Sequence, residues 1–138
     1  MEKDIITEDY VSFETAKVLK EKGFDVPVRT FYNPKYRGDK VSDGTALINY
    51  NADPEDGSVL CSAPTLQMAC KYLREKYDLH IIAYPFKTDN PTSVRHYCCR
   101  VYKTFNLLGC EKYGNETLSS YEEAVEAAIK YCLTNLID

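Results

Sequence analysis

From Ser120 onward the chain carries its most regular pattern: Tyr121, Val125, Ala128, Ile129, Cys132, Leu133 and Leu136 recur at helical spacing and form one wide apolar stripe. Ser120 followed by Glu123 is the signature of a capping box, so this helix has a defined start. A stripe this broad must lie on another apolar surface. In a chain of 138 residues that surface has to be a sheet made from the segments between the helices.

Two further helices are placed by their ends. Ser12 is an N-cap with Val11 and Ala16 as a hydrophobic staple, and Gly23 fits the left-handed position past the end, with Phe24 folding back on Leu19. The pattern predicts a helix over 13–22 with Phe13, Ala16 and Leu19 inward and Glu14, Lys17, Lys20 and Glu21 solvated. A second helix should start near Pro64 or Thr65 and run to Tyr77, burying Leu66, Ala69, Cys70 and Leu73; Pro64 suits a first turn because its missing N–H has no helical partner anyway. Lys17 to Lys22 echoes Lys71 to Lys76, a match too short to assert duplication.

Between the helices, β-branched and aromatic runs predict strands at Val26 to Tyr32, Thr45 to Tyr50, Ser58 to Cys61, Leu79 to Phe86 and Val94 to Phe105. Asn33 to Gly44 reads as a loop. The dense turn Asp53 to Gly57 predicts a hairpin of the strands on either side of it, and Lys87 to Pro91 predicts a second, antiparallel one. Asn106 to Ser119 reads as a loop with room for a short extra strand. The order is α-β-β-(β)-α-β-β-α. It predicts one α+β domain over 1–138, an antiparallel sheet of about 4–5 strands with three helices packed mainly on one face.

Composition narrows the function. Hydrophobic residues at 44% and charged residues at 28% supply a core and exclude a disordered or fibrous chain. Lys plus Arg number 17 against 21 Asp plus Glu, a net charge of -4, which opposes general nucleic-acid binding. The basic and aromatic cluster of Arg29, Phe31, Tyr32, Lys35, Tyr36, Arg37 and Lys40 reads as a solvated loop against that background. Cysteines at 61, 70, 98, 99, 110 and 132 contain no C-x-x-C pair, and only His80 and His96 could assist them, so core filling is expected and neither metal nor cofactor. The charged start Met1 to Asp4 leads into no apolar run of signal-peptide length, and no segment is long enough to span a membrane. A cytoplasmic protein with no membrane partner is expected.

The 79–105 hairpin is the most informative segment. Strand alternation puts Leu79, Ile81 and Ala83 with Tyr97, Cys99, Val101 and Phe105 on the face toward the helices, Lys103 being the exception. The other face presents His80, Ile82, Tyr84 and Phe86 beside His96, Cys98, Arg100 and Tyr102, too aromatic for a plain solvated surface. Three readings compete for it: a subunit interface anchored by the aromatics, a ligand pocket, or a half-exposed face with no task. In a pocket, Arg100 would hold a phosphate or carboxylate, Tyr84 and Tyr102 would stack a base, and His80 and His96 would donate hydrogen bonds. Cys98 or Cys99 near His96 suggests a nucleophile, but strand adjacency supplies neither a placed base nor an orienting third group. Phosphate-loop, dinucleotide, zinc-protease and serine-hydrolase motifs are all missing.

Glu8 to Lys17, Leu19 to Asp25, Ser62 to Ala69, Ser119 to Ala124 and Ala127 to Leu133 resemble small proteins of gut Bacteroides and of their phages and prophages. The likeness covers the three helices and under half of the chain, with Tyr72 where one form of the group has Trp. It carries over no functional residue. What it implies is a setting: small phage accessory proteins often counter host defence by sequestering a nucleotide signal or by blocking a host protein. The expectation is therefore a non-enzymatic, homo-oligomeric binding protein for a small anionic or nucleotide-like molecule. A protein-interaction inhibitor of a host protein is the alternative and a cysteine-dependent enzyme the third reading.

Overall fold

A computed structural model describes residues 5–35, 40–52, 60–86, 96–103, 106–111 and 118–137. These residues form an α+β fold of two helix-plus-three-strand units closed by a third helix: α1 (Phe13–Glu21), β1 (Val28–Tyr32), β2 (Val41–Ile48), β3 (Cys61–Ser62), α2 (Leu66–Tyr77), β4 (Leu79–Phe86), β5 (His96–Lys103), β6 (Asn106–Glu111) and α3 (Tyr121–Tyr131). The turns expected at Asp53–Gly57 and Lys87–Pro91 lie outside the described residues, as do Tyr36–Asp39, Val94 and Phe105.

The helix ends form as their residues dictate. The Ser12 hydroxyl accepts from the Thr15 N–H, the Thr65 hydroxyl from Met68, and the Ser120 hydroxyl from Glu123. Gly23 adopts φ 91°, which lets the Phe24 N–H reach the Leu19 carbonyl at 2.9 Å and buries the Phe24 ring. At the end of α2 the same left-handed turn is made by Asp78, at φ 57°. The α3 cap differs from a reciprocal box: the Glu123 carboxylate accepts from the N–H and hydroxyl of Ser119, at 2.9 and 3.0 Å, because that residue offers two donors to one oxygen. α3 continues into a π-helical turn over Cys132–Leu136. Tyr121, expected on the buried stripe, is exposed on the first turn of α3, while Ala124 joins Val125, Ala128, Ile129, Cys132 and Leu133 inside.

The strands divide into two three-stranded antiparallel sheets, β2-β1-β3 and β4-β5-β6, where the sequence reads as one. The break follows from β3, a two-residue edge that runs into Ala63 and Pro64; proline ends ladder pairing and α2 begins directly. Two local expectations also change. β2 starts at Val41, inside the predicted loop, because Tyr32 pairs with Val41, Phe31 with Ser42 and Thr30 with Asp43. β3 pairs with β1, Phe31 opposite Ser62 and Tyr32 opposite Cys61, so the predicted β2–β3 hairpin does not form. Asn51 replaces that ladder: its side chain accepts from the Ser62 N–H at 2.8 Å and donates to the Phe24 carbonyl at 2.9 Å. Strand order differs between the two sheets, so the α1/α2 echo is not a repeated topology.

The core lies where α2 and α3 cover Leu79, Cys99 and Val101 of the second sheet and α1 packs beside β3. Buried polar groups in the first sheet are paired: the Thr30 hydroxyl donates to the Ala63 carbonyl at 2.6 Å and the Tyr32 hydroxyl to the Val11 carbonyl at 2.5 Å. One carboxylate joins α3 to α1. Glu126 accepts from the Ser12 N–H at 3.0 Å, the Ser12 hydroxyl at 2.9 Å and the hydroxyl of the buried Thr15. One turn on, Lys130 and Glu14 pair at 3.0 Å, and the ammonium holds the Glu14 carboxyl below its ordinary range. Glu126→Ala should lower the unfolding free energy in urea by about 1–2 kcal/mol, since three donors lose a partly exposed charged acceptor. Glu126→Gln should cost less, because an amide oxygen still accepts.

Candidate functional site

The second sheet sets the residues of its hairpin as direct cross-strand pairs: His80 opposite Tyr102, Ile82 opposite Arg100, Tyr84 opposite Cys98 and Phe86 opposite His96. The inward partners are the apolar ones, with Leu79, Cys99 and Val101 all buried. Strand β6, only hinted at by the sequence, pairs with β5 and sets Cys110 opposite Arg100. β5 is therefore the central strand and Arg100 stands in the middle of the sheet. Pro85 is accommodated because β4 is the edge.

Arg100 is the centre of this face. It is exposed, and its guanidinium carbon lies 5.2 Å from the centroid of the Tyr84 ring, the diagonal neighbour across the hairpin. The hydroxyl of Tyr102 and then the Tyr84 side chain hold the guanidinium above its ordinary pKa. Partial burial, followed by the neighbouring Cys98 sulfur, pushes the Tyr84 hydroxyl up, so at neutral pH it is a phenol that can donate. Against an aromatic face a guanidinium keeps its planar fork of N–H groups available at its edges, the geometry that suits a carboxylate or phosphate.

The five residues named from the sequence do not all converge. Tyr84, Arg100 and Tyr102 form one group. His80 is near it, diagonal to Arg100, but its Nε2 is bonded to Asp78 at 2.8 Å. His96 pairs with Phe86 at the other end of the hairpin, six strand positions from the level of His80, or roughly 20 Å. A small ligand centred on Arg100 therefore cannot touch both histidines. Asp78 gave no signal as a partner of His80, because its role depends on the left-handed turn that ends α2. Among the apolar and aromatic residues of this face, Ile82 is 49% exposed and Tyr84 and Tyr102 are half-buried.

The alternative chemistry has little to work with. Cys98 and Cys99 point to opposite faces, Cys99 being fully buried, and among the described residues no three His, Cys, Asp or Glu side chains are grouped to hold a metal ion. In the basic cluster, Phe31 packs on the Tyr50 ring at 4.6 Å, so that aromatic is already engaged within the fold. No described helix is long and apolar enough to cross a membrane. No protein-family model matches the chain, and neither a curated protein nor a solved structure matches it.

The core thiols are held protonated. Burial pushes Cys70 up to about 11 and Cys132 up to about 12, from an ordinary value of 9.0, with Cys70 and Cys99 adding to the effect at Cys132. Ionisation is easier in the unfolded chain than in the fold, so the fold binds more protons above pH 9 and its stability falls as pH rises from there toward 11–12. Cys70 and Cys132 should resist an aromatic disulfide reagent at pH 8 and react only after unfolding in urea, as peptide mass mapping of the labelled sites would show; labelling in the folded protein would contradict their burial.

Proposed function

We propose that the protein is a non-enzymatic binding protein that captures a small anionic, nucleotide-like molecule on the outer face of β4, β5 and β6. The observation that carries this reading is the Arg100 guanidinium, fixed 5.2 Å from the Tyr84 ring in the central strand and left open to solvent. A phosphate or carboxylate would take the N–H fork, and Tyr102, half-exposed beside it, offers a face on which a base can stack. Directly opposite Arg100 in the sheet stand Ile82 and Cys110, neither of them a carboxylate.

Two further parts of the proposal rest on the same face. Ile82, 49% exposed beside the aromatics, supports association of copies through this surface, giving a homo-oligomer with the anion held at or near the contact. In the setting that the helix resemblance implies, the protein would act in the host cytosol as a counter-defence sponge for a nucleotide signal. The same exposed isoleucine favours the second reading, an inhibitor that seats this face on a host protein without a small-molecule site.

Native mass spectrometry of protein purified from signal-producing cells should find a stoichiometric anion, and Arg100→Ala should reduce its retention about tenfold or more. Lys35→Ala, in the first basic loop, should change little. A folded Arg100→Ala protein that retains the anion as well as the parent would place the site elsewhere. Light scattering at micromolar concentration should give more than one subunit; a strictly monomeric mass removes the oligomer from the proposal.

A further inference from the structure

A concavity lies between the α1–β1 connection and the solvent side of α2, lined by none of the residues around Arg100. Its volume is about 550 Å³, and Phe24, Val26, Met68, Lys71, Tyr72, Glu75 and Lys76 line it. That size falls within the range of small-molecule pockets, roughly 300–1,000 Å³. The floor is apolar and partly open: Phe24 is buried and meets Tyr72 edge-on at 4.8 Å, while Met68 is 39% exposed on a helix whose other apolar residues are inside. The groove is not legible in the residue pattern, which puts Val26 inside a strand and leaves Met68 between the buried positions of α2.

The charges around the groove say what it would take. The Tyr72 hydroxyl is buried below its surface, with the Lys76 ammonium and the Tyr77 side chain as its neighbours. The Lys76 ammonium lies 5.5 Å from the centroid of Tyr72 and 5.6 Å from that of Tyr77, so the aromatic faces that would attract an external cation already carry the chain's own. What remains attractive there is negative charge. Glu75 on the rim and Asp25 within electrostatic reach of Lys76 oppose more than one such charge.

We propose that this groove is a separate binding site for an amphipathic monoanion, a medium-chain carboxylate whose tail lies on Phe24, Val26 and Met68 and whose headgroup meets Lys76. It is independent of the Arg100 face, and Arg100→Ala leaves it intact.

Sodium decanoate, below its micellar concentration, is titrated into the whole protein and followed by amide chemical shifts, with decyltrimethylammonium and decanol as matched cationic and neutral chains. Saturable shifts at residues 24–26 and 68–76 with decanoate are expected, with weaker binding of the other two. Lys76→Gln should weaken decanoate about threefold or more, and Glu75→Gln should strengthen it. The proposal is overturned if decanoate does not saturate at these residues, if either control chain binds as tightly, or if Lys76→Gln binds as the parent does. Loss of decanoate binding in Arg100→Ala would merge the two sites and overturn their independence.

Discussion

The first turn of α1 exposes backbone and hydroxyl donors that something must accept, and the Glu126 carboxylate does so from a different helix. Ser12 caps Thr15 with its hydroxyl oxygen, yet the Ser12 N–H, the Ser12 O–H and the Thr15 O–H all end on Glu126. Negative charge at a helix N-terminus is favourable in its own right, so one residue meets hydrogen-bonding and dipole demands together. The same short stretch is tied on its other side. Val11 donates to Pro64 and its carbonyl accepts from Tyr32, while the Leu66 N–H donates to Asp9. Residues 9–12 thereby join β1, the entry to α2, and α3, and the two sheets are held around that junction.

Once α3 is fixed over α1, its apolar side has α2, β4 and β5 to cover, and it covers one face of the second sheet only. That asymmetry creates the candidate site. Leu79, Cys99 and Val101 are taken into the core, and the alternate residues are left outward with no helix above them among the described residues. A strand whose inward residues are locked cannot slip register, because a one-residue shift would expose Cys99 and Val101 and bury Arg100. The positions of Arg100, Tyr84 and Tyr102 are consequently as firm as the core beneath them.

The groove on α2 has the opposite origin. It exists because a helix with an apolar stripe is wider than the surface that covers it: Leu66, Ala69, Cys70 and Leu73 are buried against the sheet and α3, and Met68 and Tyr72 overhang the edge. Gly23 turns the chain so that Phe24 returns to Leu19 and Val26 closes the far wall. A concavity of this kind depends on where two elements end relative to each other.

Local chemistry was legible in the sequence. Ser12 and Ser120 cap their helices, Gly23 ends the first, and strand alternation separates Cys99 and Val101 from Arg100 and Tyr102, because each depends on neighbours within a few residues and on the fixed periods of helix and strand; the cap of α2 was not so plain, since Thr65 and not Pro64 opens it. Pairing between distant segments was not. That β3 joins β1 and not β2, that the strands form two sheets, that β6 makes β5 central, that Asp78 engages His80 and that Glu126 reaches Ser12 were decided by the tertiary structure. Each of these requires a donor and an acceptor to be brought together by packing, or an edge to be filled by whichever strand the helices leave beside it, and neither condition is written in the spacing of residues along the chain.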